Sequence, residues 1–169
     1  MRMAFGLVLA ASLCSAQAQA SSVVCAAKAE AQALEARVVQ TELMVAALSC
    51  NAASRYNAFV QKFRPELAAA YKGLGGFFAR IYGGSAAEKH LNDYVTRTAN
   101  ESSQRAIAQI DEFCRKAALS FDLMERTDRK GFASVIHTQP AALETGYEAC
   151  VEPSKSHIAN AAARLSGSP

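Results

Sequence analysis

The chain has 169 residues, five cysteines, no tryptophan and a formal net charge of +3. Half of it is hydrophobic (51%), only 8% is aromatic, and alanine supplies much of the apolar total. These figures exclude a disordered chain, a collagen-like repeat and a large multidomain enzyme, and they fit one compact domain.

Residues 1–20 read as a signal peptide. Arg2 gives a short positive start, residues 4–14 (AFGLVLAASLC) form an apolar stretch too short to span a bilayer, and Ala18-Gln19-Ala20 offers a small-x-small cleavage pattern before Ser21. The chain is therefore expected to be periplasmic or secreted. No later apolar run reaches about 20 residues, so no membrane span is expected after cleavage. Arg2 leaves with the leader, and the remaining charges are interspersed and nearly balanced. A nucleic-acid footprint is not indicated.

Cys14 also leaves with the leader. Cys25, Cys50, Cys114 and Cys150 remain, and an even count in an exported chain points to two disulfides with three possible connectivities. No CxxC or CxxCH occurs, which removes thioredoxin-like redox chemistry and covalent haem attachment.

Residues 22–49 are rich in Ala, Glu, Gln and Leu and predict one long helix. Its apolar seam runs Ala27, Ala31, Leu34, Val38, Thr41, Val45, Leu48, stepping by fours and threes. Asn51 is the expected N-cap of a second helix. Tyr56, Phe59, Phe63, Leu67, Ala70, Leu74, Phe77 and Ile81 keep helical phase across Pro65. That continuity favours one helix kinked at the proline over two helices. Gly73, Gly75 and Gly76 allow close backbone approach.

Gly83-Gly84 ends the second helix, and Ser85-x-x-Glu88 reads as the capping box of a third, running to about Glu125. Five acid–base pairs at i,i+4 support it: Asp93–Arg97, Glu101–Arg105, Asp111–Arg115, Glu112–Lys116 and Asp122–Arg126. Beyond Thr127, residues 131–137 predict a short helix, Pro140 and Pro153 mark turns, and residues 154–165 predict a weak helix.

The expected fold is all-α: an antiparallel bundle of three long helices plus a short C-terminal helical segment, linked by disulfides. Its expected divisions are the leader, a bundle over residues 21–138, and a tail over 139–169 tied back by a disulfide. In an up-down-up bundle Cys25 is at the bottom of the first helix and Cys50 at its top. Cys114 lies 29 residues along the third helix, roughly 43 Å at 1.5 Å per residue, and so returns to the top. The tail then has room to carry Cys150 back to the bottom. The expected pairs are Cys50–Cys114 and Cys25–Cys150.

The stretches TELMVAALSC (41–50), RYNAFVQKFRPEL (55–67) and KHLNDYV (89–95) resemble an uncharacterised group of small exported helical proteins of alphaproteobacteria. The resemblance implies an exported helical protein and adds no active site.

No metal, cofactor or catalytic motif stands out. His90, His137 and His157 are not spaced as ligands, there is no GxSxG, and the glycines follow no strand. One polar cluster is notable. Thr98 and Ser102 lie mid-way along the third helix, at the expected height of Glu42 on the first and Arg64 on the second. These four form the candidate polar pocket, with Glu42 and Arg64 expected to pair. The competing reading leaves Glu42 and Arg64 in solvent while Phe59 and Phe63 fill the space. Two functions follow. The first is a non-enzymatic binding or protein-interaction module with a protein or small-molecule partner. The alternative is a small secreted enzyme or small-molecule binder using the polar pocket.

Overall fold

A computed structural model describes residues 24–139 and 145–151. The leader, Pro140, Pro153 and the expected helix at 154–165 lie outside the described residues. Within them the protein is all-helical: α1 (Lys28–Ser49), α2 (Ala53–Lys62), α3 (Arg64–Tyr82), α4 (Gly84–Ala108), α5 (Ile110–Arg126) and α6 (Phe132–Thr138). No helix among these residues is long and apolar enough to cross a membrane.

The first helix begins at Lys28, not at residue 22. Ala26 is instead held in an isolated parallel bridge with Ala149. At the start of α1 the Glu30 carboxylate accepts the Ala27 N–H at 2.8 Å. This is half of a capping box, and it serves one of the free N–H groups of the first turn. Arg80 reaches the same carboxylate, its Nε donating at 2.8 Å, and holds the Glu30 carboxyl below its usual range.

Leu34, Val38, Thr41 and Val45 are buried on one side of α1, and Ala36, Val39, Leu43 and Ala46 on another. Leu48, expected in the seam, is 83% exposed. A helix apolar on several faces must be enclosed, and α1 packs against each of α2, α3, α4, α5 and α6. It is the central helix of the molecule. Asn51 is not an N-cap. It follows α1 with φ 55°, a left-handed conformation that asparagine tolerates, and so ends the first helix rather than starting the second.

The expected kinked helix is two helices that abut at Phe63. Phe63 leaves helical geometry (φ −105°, ψ 20°), yet its N–H still donates to Phe59 and its carbonyl still accepts from Leu67. Pro65 falls in the first turn of α3, where its missing N–H has no partner to lose. Of the three glycines only Gly73 makes a close approach: a Cβ there would stand 3.3 Å from the Ala33 Cβ, while Gly75 and Gly76 face open space.

Gly83, at φ 79°, ends α3 and caps α4. The Ser85–Glu88 box does not form, because α4 already begins at Gly84 and has no side-chain cap. The expected third helix is also split. Gln109 (φ −146°, ψ 60°) separates α4 from α5. The chain turns there, and α5 comes back beside α2. Arg55 binds Asp122 (2.6 Å) and Glu125 (2.7 Å), and Lys62 donates to the carbonyls of Met124 and Glu125. The expected i,i+4 pairs form only in part. Glu112–Lys116 forms at 2.6 Å, but Asp122 turns to Arg55, Asp93 to Lys89 and Arg105 to Glu42.

Two cysteine pairs close the fold. Cys50 joins Cys114 with Cα atoms 5.5 Å apart, and Cys25 joins Cys150 at 4.9 Å. They lie at opposite ends of α1. Between them the core divides in two. The upper part gathers Phe59, Phe63, Phe121, Met124, Phe132 and Ile136 around Val39 and Leu43. The lower part gathers Leu74, Phe77, Phe78, Leu91 and Tyr94 around Leu34.

Candidate functional site

The four residues of the expected polar pocket do not converge. Thr98 is buried, and its hydroxyl donates to the Tyr94 carbonyl at 2.9 Å within α4. Ser102 is fully buried. Glu42 is half-buried, and its ion-pair partner is Arg105 of α4. Arg64 is exposed. The expected Glu42–Arg64 pair is therefore replaced by Glu42–Arg105. The interruption at Phe63 starts a new helix at Arg64, and the guanidinium faces water on the outer side of α3.

What remains is a polar seam where α1 and α4 pack. Thr41 (1% exposed) and Ser102 (0%) each bury a hydroxyl that meets no hydrogen-bond partner in the protein. The Nε atoms of Arg37 and Arg105 are likewise buried and unpaired. Burial pushes the Tyr94 phenol up to about 12, against a smaller opposing effect of Thr98 and the nearby arginines. An unpaired buried hydroxyl costs about 1–3 kcal/mol. Thr41→Val keeps the shape and removes that cost, so it should stabilise the fold by about 1 kcal/mol. Urea unfolding checks this. A loss of stability would show instead that a bound water or ligand atom serves the hydroxyl.

A wide opening lies on another face. A groove of about 410 Å³ runs between α1 and α5, walled by Val39, Leu43, Phe113, Ala117, Leu119 and Leu123. Leu119 is 59% exposed and Leu123 38%. Glu42, Lys116, Ser120 and Gln139 supply its polar groups. The Ser120 hydroxyl donates to the Gln139 amide oxygen at 2.7 Å, and the amide nitrogen of Gln139 is buried without a partner. A sequence signal for this groove exists. Phe113, Ala117, Phe121 and Met124 already give α5 an inward stripe, so Leu119 and Leu123, four residues apart, form a second one.

His90 stacks on the Tyr82 ring, centroids 3.6 Å apart, and His137 places Nδ1 3.1 Å from Glu35. His157 lies outside the described residues. Among the described residues no group of three or more His, Cys, Asp or Glu side chains is placed to hold a metal ion. Comparison with protein-family models, curated proteins and solved structures finds no match to this chain.

Proposed function

We propose that this chain is an exported, non-enzymatic binding module that uses the α1–α5 groove to hold the apolar part of a partner. The N-terminal pattern and the two cysteine pairs support export to the periplasm or beyond. The likeness to exported helical proteins of alphaproteobacteria points the same way. The observation that carries the binding role is the groove itself: an apolar opening with two large leucines left partly in water. Contiguous exposed apolar surface on a monomer marks an interaction site more often than isolated apolar residues do.

A second reading takes a small molecule as the partner. The groove volume falls within the range of about 300–1,000 Å³ common for such sites, and a few polar groups stand among its apolar walls. Affinity capture from periplasmic extract, with bound proteins and bound small molecules both identified, tests both readings. A species held by the native chain should be lost from Leu119→Glu/Leu123→Glu while helical content is unchanged. Equal retention by that variant removes the groove from the function.

A further inference from the structure

A second groove, of about 350 Å³, runs between α1 and α3 with α6 along one side. Small residues line it on the first two helices: Ala33 and Ala36 on α1, Ala70 and Gly73 on α3. Phe132 and Ile136 supply the α6 wall. Alanines do not fill the space between two helices and a third, and a narrow apolar cleft remains. It shares no lining residue with the α1–α5 groove, so either can bind without the other.

Its dimensions select the kind of occupant. Ala29 to Ala36 on α1 and Glu66 to Gly73 on α3 each rise about 10 Å at 1.5 Å per residue. Spread over that length, the volume gives a mean section of about 35 Å². A helix with its side chains is about 10 Å across, or about 80 Å² in section, and does not enter. A single extended alkyl chain does.

The two ends of the groove differ in charge. Glu30 pairs with Arg80 and Ala33 lies against Gly73, so α3 runs antiparallel to α1. Ala29 and Gly73 therefore mark the lower end, which is uncharged, and Ala36 and Glu66 mark the upper. The three charged residues lining the groove are Glu66, Arg129 and Lys130, and they gather at the upper end. Arg129 donates to Glu66 at 2.8 Å. Lys130 is exposed and has no acidic partner among the described residues. Two cations against one carboxylate leave one positive charge at the head of an apolar cleft.

We propose that this groove is a second binding site and that it takes a fatty-acid anion, with the chain in the alanine cleft and the carboxylate at Lys130. One surplus positive charge matches a monoanion. A dianion would crowd Glu66, an alkyl cation would meet Lys130 and Arg129, and a neutral chain would leave Lys130 unpaired.

Titration of the full oxidised chain with octanoate and decanoate, followed by calorimetry and by the alanine methyl signals in NMR, tests this. Decanoate should bind about tenfold tighter than octanoate, because two more methylenes leave water. The methyl signals of Ala69, Ala70 and Ala133 should shift. Ala69→Leu/Ala133→Leu places two larger side chains in the cleft from exposed helix positions and should abolish binding. Leu119→Glu/Leu123→Glu should leave it unchanged. Lys130→Glu should weaken decanoate about fivefold at low salt and change decanol by less than about twofold. Should the double leucine variant lose its helical signal, the methyl shifts of the native chain still place the ligand. Decanoate that does not bind, that binds equally well to Lys130→Glu, or that is lost only from Leu119→Glu/Leu123→Glu overturns the proposal. A dimer of the free chain that is lost in Ala69→Leu/Ala133→Leu gives the groove to a second copy and overturns it too.

Discussion

Phe63→Ala should cost about 3–5 kcal/mol, the range for deleting a fully buried phenylalanine ring. Phe63 is 0% exposed and stands where α2 meets α3. Its ring contacts Phe59 (5.6 Å between centroids) and Phe132 (4.9 Å), so it also seats α6 on the bundle. Removing it opens a cavity at a joint that already lacks regular helix geometry. Total stability of a domain this size is about 5–15 kcal/mol, so the variant should lose a large share of it. Urea denaturation of the oxidised protein measures the change. A cost below about 1 kcal/mol would mean that the upper core does not close around this ring.

Cys50→Ser/Cys114→Ser should be nearly as damaging. The bond spans 64 residues of sequence, for which chain entropy assigns about 4 kcal/mol. Measured values often fall short of that figure. The shift should appear in the global unfolding midpoint, with a somewhat larger denaturant slope, because the unfolded chain freed of the cross-link exposes more surface. Cys25–Cys150 spans a longer loop of 125 residues, and the same reasoning would give it more. If residues 145–151 detach alone once this bond is gone, the native state also gains freedom and that difference shrinks. A small midpoint shift for Cys50→Ser/Cys114→Ser, beside a large one for Cys25→Ser/Cys150→Ser, would contradict this ranking.

Much of the helical layout was readable in the sequence because apolar spacing reports burial directly. The three-four steps through Phe59, Phe63, Leu67, Leu74 and Phe77 identify residues that are all buried. The same spacing concealed the joint at Phe63, since a one-residue interruption that keeps its flanking hydrogen bonds barely shifts the phase. Gln109 was harder still. Glutamine is a good helix former, and acid–base pairs flank it on both sides. Its departure from the helix is imposed by tertiary contacts, above all Arg55 with Asp122 and Glu125 and Cys50 with Cys114. Asn51 shows a different limit: the residue types that begin helices overlap with those that end them.

The site was less legible than the fold. Thr98 and Ser102 are small polar residues at inward positions, and burial follows from that pattern. Pairing Glu42 with Arg64 required knowing which way Arg64 turns after Phe63, and no spacing rule carries that. By i,i+4 proximity Arg105 belongs with Glu101, yet it crosses to Glu42 on α1. A partly buried cross-helix pair is shielded from water, whereas a pair on an open helix face is worth little.

The central place of α1 bears on how the molecule can open. A bundle of equals can shed one helix and keep a core among the rest. Here the upper and lower cores share α1 as their common wall, and each of the other five helices loses packing if α1 leaves. Partial unfolding is then confined to its margins, such as residues 145–151, which meet it only ahead of its first turn. Everything else must come apart together, so the amide protons of α1 exchange with solvent only as often as the whole chain unfolds.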